Sequence, residues 1–255
     1  MTVVATVGST HPLAFAGLPF ALLALEEEGV RPVCVVAGVT AQDAAHVRTV
    51  RALDAGVIGA QFEALAGANV AAFHVGALLS AEAVHAVAEG LARFEGIPAV
   101  VDPVLAASGG DTLADEATVR ALRETLIPRA ALVTPNLHEA ATLLGRPVQD
   151  AGAMEAAARA FVEMGAAAAL VKGGHLDGDP VDVFADARGV RRLHGPRIEA
   201  TLRGTGDLLA ATVAACLASG AEPVEAIERA RRRVREAIAR GTMFAGTRVA
   251  VFHAR

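Results

Sequence analysis

The sequence predicts an α/β fold in which helices flank a mostly parallel, doubly wound sheet. Short apolar runs rich in β-branched residues alternate with longer alanine-rich runs along most of the chain. No linker, low-complexity tract or internal repeat interrupts this alternation. The chain has 255 residues, 53% of them hydrophobic, which is enough to bury a large core. We therefore expect a single domain that spans residues 1–255.

Six apolar runs are the predicted strands of the sheet. Each is apolar along most of its length, as expected of strands that are covered on both faces. The helical runs between them include FALLALEEEG after the first strand and the run through VIGAQFEALAG after the second. The predicted strands are residues 3–7, 32–38, 69–76, 97–103, 130–136 and 167–174.

The pattern changes near residues 180–194. Two short alternating runs there flank the sequence DARG, which favours a turn. This arrangement predicts a small antiparallel hairpin before the final helices.

Charge and composition argue against nucleic acid as a partner. The formal net charge is -5, and the chain contains neither Trp nor Tyr, so it lacks both a basic excess and stacking rings. The densest basic run, Arg229–Glu236, is interleaved with acids at helical spacing and is interpreted as a solvated helix face. Small molecules are the expected partners.

Neither a membrane span nor a secretory leader is expected. The first ten residues, MTVVATVGST, lack a basic segment followed by a long apolar one, and no apolar run reaches about 18 residues. Cys34 and Cys216 have no metal-type spacing and are interpreted as core thiols in a reducing compartment. A cytoplasmic location is the resulting expectation.

Polar residues mark the ends of the predicted strands and the start of a late helix. Because ligands of parallel sheets bind outside the carboxyl ends of the strands, these positions are the candidate site. They are Asp102, Asn136, Glu139, Lys172 and Asp207.

Plainer explanations account for some of these positions and not for others. Asp102 precedes a proline and could simply open a turn. Thr134 and Pro135 suit the N-cap and first residue of a helix, which places Glu139 outside a capping box and leaves it in need of solvent or a cation. Lys172 is the only lysine in a chain whose lysines and arginines number 23 together, which favours a specific use for an ammonium group.

The segment RGTGD suggests an anion site beside a base. Its glycines allow backbone amides to approach a phosphate, and the following helix offers unpaired N–H groups. An ionised Asp207 at this point can accept the proton of an attacking hydroxyl, whereas the plainer alternative is that Asp207 caps the helix. The sequence has no GxGxxG after its first strand, no GxxxxGK[ST] and no GxSxG, which argues against dehydrogenases, P-loop kinases and serine hydrolases.

Taken together and in this order, the motifs resemble the ribokinase-like superfamily, most closely its hydroxymethylpyrimidine/phosphomethylpyrimidine kinase family. A three-layer ribokinase-like fold, ATP as phosphoryl donor and Mg²⁺ are implied by this resemblance. The resembling segments are VTAQD (39–43), VDPVLAASGGDTL (101–113), LVTPNLHEAATLLG (132–145), LVKGGH (170–175) and RGTGDLLAATVAACLASG (203–220).

The resemblance also implies roles for the residues at these positions. Asp207 would be the catalytic base, and the amides of Gly204, Thr205 and Gly206 would form the anion hole. Lys172, Asn136, Glu139 and Thr205 would contact ATP, and Asp102 and Glu139 would organise magnesium through water. Gly8, Gln42 and Arg203 would bind the acceptor, with Gln42 reading the aminopyrimidine.

Several positions depart from the family pattern. The first loop, GSTHPLAFAGLPFA, lacks the family's acid and most of its glycines, and His74 and Ala77 replace a lysine and a methionine. The thiamin kinases usually have cysteine at the position of Asp207. An aspartate there follows the pattern of pyridoxal and sugar kinases. Arg203 replaces a histidine and could bind an additional phosphate in bidentate fashion.

Three functions remain open at this point. The first is ATP-dependent phosphorylation of 4-amino-5-hydroxymethyl-2-methylpyrimidine or its monophosphate, with the monophosphate favoured by Arg203 and the altered first loop. The second is pyridoxal kinase or another small-alcohol kinase of the same fold, favoured by Asp207. The third is a non-catalytic ligand sensor, which would have no use for a base. The resemblance further implies a homodimer.

Overall fold

The protein is described from a computed structural model that covers residues 1–174 and 180–252. His175, the last residue of the LVKGGH motif, and residues 253–255 of the predicted domain lie outside the described residues.

Within the residues that the structure describes, nine strands form one mixed sheet in the order β3-β2-β1-β4-β5-β6-β7-β8-β9. The six strands from β2 to β7 along this order run parallel, and antiparallel strands extend both edges. The strands are β1 (Val3–Thr10), β2 (Arg31–Gln42), β3 (Val47–Ala52), β4 (Val70–Val75), β5 (Ala99–Val101), β6 (Leu132–Val133), β7 (Ala168–Val171), β8 (Val181–Asp186) and β9 (Gly189–His194).

In the described part of the chain, eight α-helices cover the two faces of the sheet, which makes three layers. The buried side chains of α2 to α6 join one apolar cluster, and those of α1, α7 and α8 join the other. The helices are α1 (Gly17–Glu27), α2 (Ala55–Ala64), α3 (Ala81–Ala92), α4 (Glu116–Ala121), α5 (Leu137–Leu144), α6 (Ala151–Glu163), α7 (Thr205–Ala218) and α8 (Pro223–Arg240). None of the helices in the described residues is long and apolar enough to span a bilayer.

The architecture confirms the predicted α/β class, the six central strands and the hairpin, whose strands pair with Asp186 opposite Gly189. Two features were not predicted. Strand β3 was missed because its residues are largely exposed at the sheet edge and lack a buried apolar run. A second hairpin, β10 (Thr242–Phe244) and β11 (Thr247–Val249), follows α8 and forms its own two-stranded sheet.

The basic helix α8 is only in part a solvated face. Arg231 donates to Asp182 at 2.7 Å, and Arg233 donates to Glu27 at 2.5 Å and also to Glu28. Both arginines are largely buried, with 10% and 14% of their side chains exposed. The solvated interpretation is therefore wrong for these two residues, because they hold α8 against α1 and against β8.

The cysteines also differ from expectation. Cys216 is buried in α7, but Cys34 is exposed on β2, so the interpretation of both as core thiols is wrong for Cys34. Its strand lies near the sheet edge, where covering helices reach only part of the surface, and the apolar letters around it did not reveal this.

Candidate active site

Asp102, Thr134 and Lys172 form a buried polar cluster at the carboxyl ends of β5, β6 and β7. The Asp102 carboxylate is 2% exposed, and its Oδ1 accepts from Lys172 Nζ at 2.7 Å and from Thr134 Oγ1 at 2.9 Å. Asp102 therefore does more than open a turn, since its side chain organises three neighbouring strand ends. Although burial acts to lower the pKa of Lys172, the carboxylates of Asp102 and Glu139 raise it, so the ammonium stays charged.

Asn136 and Glu139 form a capping box at the start of α5, contrary to the sequence interpretation. Asn136 Oδ1 accepts from the Glu139 amide at 2.9 Å, and Glu139 Oε2 accepts from the Asn136 amide at 2.7 Å. The helix begins two residues later than predicted, because the Pro135 carbonyl accepts from the Lys172 amide and Asn136 pairs with Lys172, which keeps the chain extended up to Asn136. Glu139 thus has a local structural partner, and its need for a cation cannot be inferred from the sequence position alone.

The Glu139 carboxyl group is nevertheless buried near two other acidic side chains, Asp102 and Asp207. It is 5% exposed, and burial raises its pKa to about 7, with Asp102 and Asp207 adding to the rise while Lys172 opposes it. Three buried carboxylates therefore face one ammonium group. The cluster has an excess of negative charge that a bound cation would relieve.

Helix α7 begins within the RGTGD segment, at a glycine in a left-handed backbone conformation. Gly204 is the N-cap, with φ of 77°, and a Cβ there would lie 2.7 Å from the Phe15 carbonyl oxygen. Only glycine fits this position without strain. The first amides of a helix have no partner within it, so those of Thr205 and Gly206 are available to an anion at this end of α7.

Asp207 lies in the first turn of α7, three residues after the cap. It is buried, and its Oδ2 accepts from the Gly17 amide at 2.9 Å, across 190 residues of sequence. Its side chain makes this long-range contact, so the capping alternative is wrong. Burial raises the pKa of Asp207 to about 6, which leaves most of it ionised at neutral pH, in line with the expected charge state.

Asp207 and the strand-end cluster lie on two sides of the same helix terminus. A Cβ on Gly206 would come within 2.8 Å of Asp102 Oδ2 and 3.3 Å of Lys172 Nζ. A Cβ on Gly76 would lie 3.6 Å from Asp207 Oδ1. Asp102 and Lys172 therefore lie beside the first turn of α7, which also carries Asp207, an arrangement that can bind a phosphoryl group and remove a proton beside it.

The predicted acceptor residues lie further along the same edge of the sheet. Gly8 lies late in β1, next to the backbone of Ala77. Gln42 ends β2, where its Oε1 accepts from Thr40 Oγ1 at 3.2 Å. Arg203 precedes the anion hole, and its Nη2 donates to the Ala44 carbonyl, two residues beyond Gln42.

The guanidinium of Arg203 is partly committed to the protein. Besides its contact with Ala44, its Nε lies 3.4 Å from Thr247 Oγ1, and the group lies over the Phe15 ring at 5.8 Å. These two hydrogen bonds use Nε and one N–H of Nη2, so a bidentate phosphate contact, as the sequence suggested, would use Nη1 and the second N–H of Nη2.

Sequence reasoning missed the site contacts of Thr134 and Gly17, and the setting of His74. The His74 side chain is 1% exposed, and its Nδ1 forms a hydrogen bond with Thr6 Oγ1 at 3.0 Å. Burial lowers the pKa of His74 to about 4. The strand position of His74 was available as a signal, because side chains alternate between faces. The sequence signal for Gly17 was weaker, because the only indication was that it is a glycine in the first loop.

The sequence is similar to those of known kinases. Residues 13–251 match the family model described as phosphomethylpyrimidine kinase. A hydroxymethylpyrimidine/phosphomethylpyrimidine kinase of Rhizobium meliloti is 40% identical over 227 residues, which cover 88% of this chain and 85% of the relative.

Solved structures show the same fold. A phosphomethylpyrimidine kinase from Clostridium difficile superposes with a TM-score of 0.83 at 26% identity, covering 93% of this chain and 100% of the other. An ADP complex of Bacillus subtilis pyridoxal kinase superposes with a TM-score of 0.90 at 26% identity, covering 99% and 97%. Given the match to the family model and to the Rhizobium meliloti relative, this chain belongs to the phosphomethylpyrimidine kinase family of ribokinase-like kinases.

Proposed function

We propose that this protein transfers the γ-phosphoryl group of ATP to 4-amino-5-hydroxymethyl-2-methylpyrimidine, to its monophosphate, or to both, in thiamin biosynthesis. The observation that carries the proposal is the arrangement of Asp207, Lys172 and the open amides of α7 around one point. Family membership supplies the substrate class. The ADP complex of the pyridoxal kinase neighbour supports an adenine nucleotide as donor.

In this mechanism the chain mainly positions groups and neutralises charge, since phosphoryl transfer needs little covalent help from protein. Lys172 and the amides of Gly204, Thr205 and Gly206 would hold the transferred phosphoryl group. With the free alcohol, Asp207 would accept the hydroxyl proton as that oxygen bonds to the γ-phosphorus and the bond to ADP breaks. The monophosphate already carries an ionised oxygen and has no proton to give up.

The site suits magnesium held through water. No three His, Cys, Asp or Glu side chains within residues 1–174 and 180–252 converge as direct ligands. Asp102 and Glu139 supply hard oxygen donors in a cluster with excess negative charge, which is the chemistry that Mg²⁺ prefers. When bound, the ion would neutralise charge on the ATP phosphates, and Asp102, Glu139 and Asn136 would orient its water molecules.

Within this function we favour the monophosphate as the better acceptor. The first loop lacks the family's acid, which weakens recognition of a hydroxyl, and Arg203 brings a guanidinium to the entrance of the anion hole. A second candidate function is pyridoxal kinase, favoured by Asp207 and by the TM-score of 0.90 with the pyridoxal kinase neighbour.

The deciding experiment is ADP release by the purified protein with ATP and magnesium. Acceptors would be the hydroxymethylpyrimidine, its monophosphate, pyridoxal and a no-acceptor control. Turnover on either pyrimidine is the expected result, with higher kcat/KM for the monophosphate. Turnover on pyridoxal alone would transfer the protein to the second candidate, and silence with every acceptor would favour the ligand sensor. The single domain over residues 1–255, the cytoplasmic location and the homodimer stay predictions.

A further inference from the structure

The turn at residues 43–47, between β2 and β3, is closed by the Asp43 carboxylate, which accepts from the amides of Ala45 and His46, and is also contacted by parts of the chain far from it in sequence. The Val47 amide donates to Asp111 Oδ2 at 2.6 Å, although the two residues are 64 positions apart in the sequence. The Ala45 carbonyl packs so closely on Gly109 that a Cβ there would lie 2.9 Å from it. Successive backbone groups of the turn are therefore engaged by the loop at residues 106–112.

Arg203, which lies in another segment of the chain, also contacts this turn. Its Nη2 donates to the Ala44 carbonyl, 159 residues away, and would lie 4.0 Å from a Cβ on Gly109. Arg203 directly precedes Gly204, the cap of α7. The turn, the loop and the start of the anion hole thus meet at one place. We call this three-way contact the clasp, formed by residues 43–47, residues 106–112 and Arg203.

The side chain of Asp111 acts between segments and not within its own loop. The loop is closed by backbone contacts, with the Ala107 amide donating to the Asp111 carbonyl at 2.9 Å and the Gly110 amide to the Ala107 carbonyl at 2.8 Å. A bridge between Ala106 and Thr112 completes it. The Asp111 carboxylate lies instead against the turn, where its Oδ2 accepts from Val47 and is 3.9 Å from His46 Nδ1.

Val47 is the partner of Gln42 in the antiparallel pairing of β2 and β3. Asp111 therefore holds the residue directly across from the predicted reader of the acceptor. We propose that Asp111 and Arg203 are positioning residues, which fix the strand end carrying Gln42 relative to the anion hole that begins at Gly204. This proposal rests on the proposed function, because Gln42 must face an acceptor for its position to matter.

The kinetic test compares Asp111→Ala and Asp111→Asn with the unchanged protein. Loss of a charge-assisted hydrogen bond should raise the KM of the acceptor about tenfold in Asp111→Ala, with less than about a twofold change in the KM of ATP. Asp111→Asn keeps an oxygen that can accept from Val47 and should recover most of the loss. Equal rises in both KM values, or no recovery in Asp111→Asn, would overturn the positioning role.

Asp186→Ala is the matched control. Asp186 also accepts from backbone amides, those of Arg188 at 2.8 Å and Gly189 at 3.2 Å, but in the β8–β9 turn. It should leave both KM values unchanged. The same acceptor effect in Asp186→Ala would mean that any lost turn contact produces it, and the proposal would fall.

Amide hydrogen exchange of the ligand-free protein tests the clasp without any activity. Exchange at Val47 should become about tenfold faster in Asp111→Ala and stay unchanged in Asp186→Ala. Unchanged exchange at Val47 would refute the clasp even if the kinase proposal held. Faster exchange in a protein that phosphorylates none of the acceptors would keep the contact but overturn both its positioning role and the proposed function.

Discussion

The two halves of the site are built in different ways. On the proposed phosphate side, Asp102, Asn136 and Lys172 follow regular strands or cap a helix, so the pairing of neighbouring parallel strands brings them together. On the acceptor side, Gln42 and Arg203 depend on a turn and a loop that are joined by single long-range hydrogen bonds. The comparison suggests that the phosphate side tolerates little change, whereas the acceptor side can drift and retune specificity.

The largest expected effect separates chemistry from binding. Asp207→Asn should lower kcat for the free alcohol about a thousandfold, because the amide cannot accept the hydroxyl proton. The asparagine oxygen can still accept from the Gly17 amide, so folding should be retained. Initial rates with both pyrimidines measure the effect, and the monophosphate should lose far less.

Asp115→Asn serves as the control for this change, since Asp115 is also a carboxylate at the start of a helix, where it accepts from the Thr118 amide at 2.8 Å. It should leave kcat unchanged. A loss of less than threefold on the alcohol in Asp207→Asn would show that Asp207 is not the base.

The next effect concerns the lysine of the phosphate side. Lys172→Met should lower kcat/KM for ATP about a hundredfold, because it removes a cationic contact to the transferred group. It also leaves the buried Asp102 carboxylate without its ion pair, which should lower the free energy of unfolding by about 3 kcal/mol.

Adding Asp102→Asn to Lys172→Met distinguishes these two losses. The double variant should regain part of the stability in urea unfolding, because the carboxylate that paired directly with Lys172 is gone, but it should not regain activity. Recovery of activity together with stability would assign Lys172 a purely structural role.

A smaller effect is expected from pH. The pKa of Asp207 is raised to about 6, so the carboxyl becomes protonated as the pH falls through that value and cannot then accept a proton. The kcat/KM for the alcohol should fall about tenfold between pH 7 and pH 5. The residual rate of Asp207→Asn should lack this acid limb, and a limb that persists in the variant would assign the titration to another group.

The smallest expected effect lies on the acceptor side. Arg203→Lys keeps the charge but loses the planar fork, and should raise the KM of the monophosphate about fivefold more than that of the alcohol. Loss of the clasp alone would affect both acceptors equally. An equal change for the two acceptors would therefore argue against a phosphate contact by Arg203.

Local patterns were sufficient for most of the fold and for the phosphate side. The six central strands are apolar runs bounded by polar residues, and in all of them except the partly exposed β2 this pattern is a direct consequence of burial on both faces. Asp102, Lys172 and Asp207 could be found because parallel strands present their carboxyl ends along one edge. The same reasoning misplaced the start of α5, because the contact of Pro135 with Lys172 lies outside the local pattern.

The sequence by itself determined the α/β class, the order of the six central strands and the residue types at the proposed phosphate site, since these follow from hydrophobic periodicity, glycine geometry and strand-end position. Only the tertiary structure decided that Asp207 is held by Gly17, that Arg233 is buried against Glu28 and that Asp111 holds Val47. These contacts join residues 190, 205 and 64 positions apart. No local pattern encodes such pairs, because they form only when packing of the whole chain brings distant loops together.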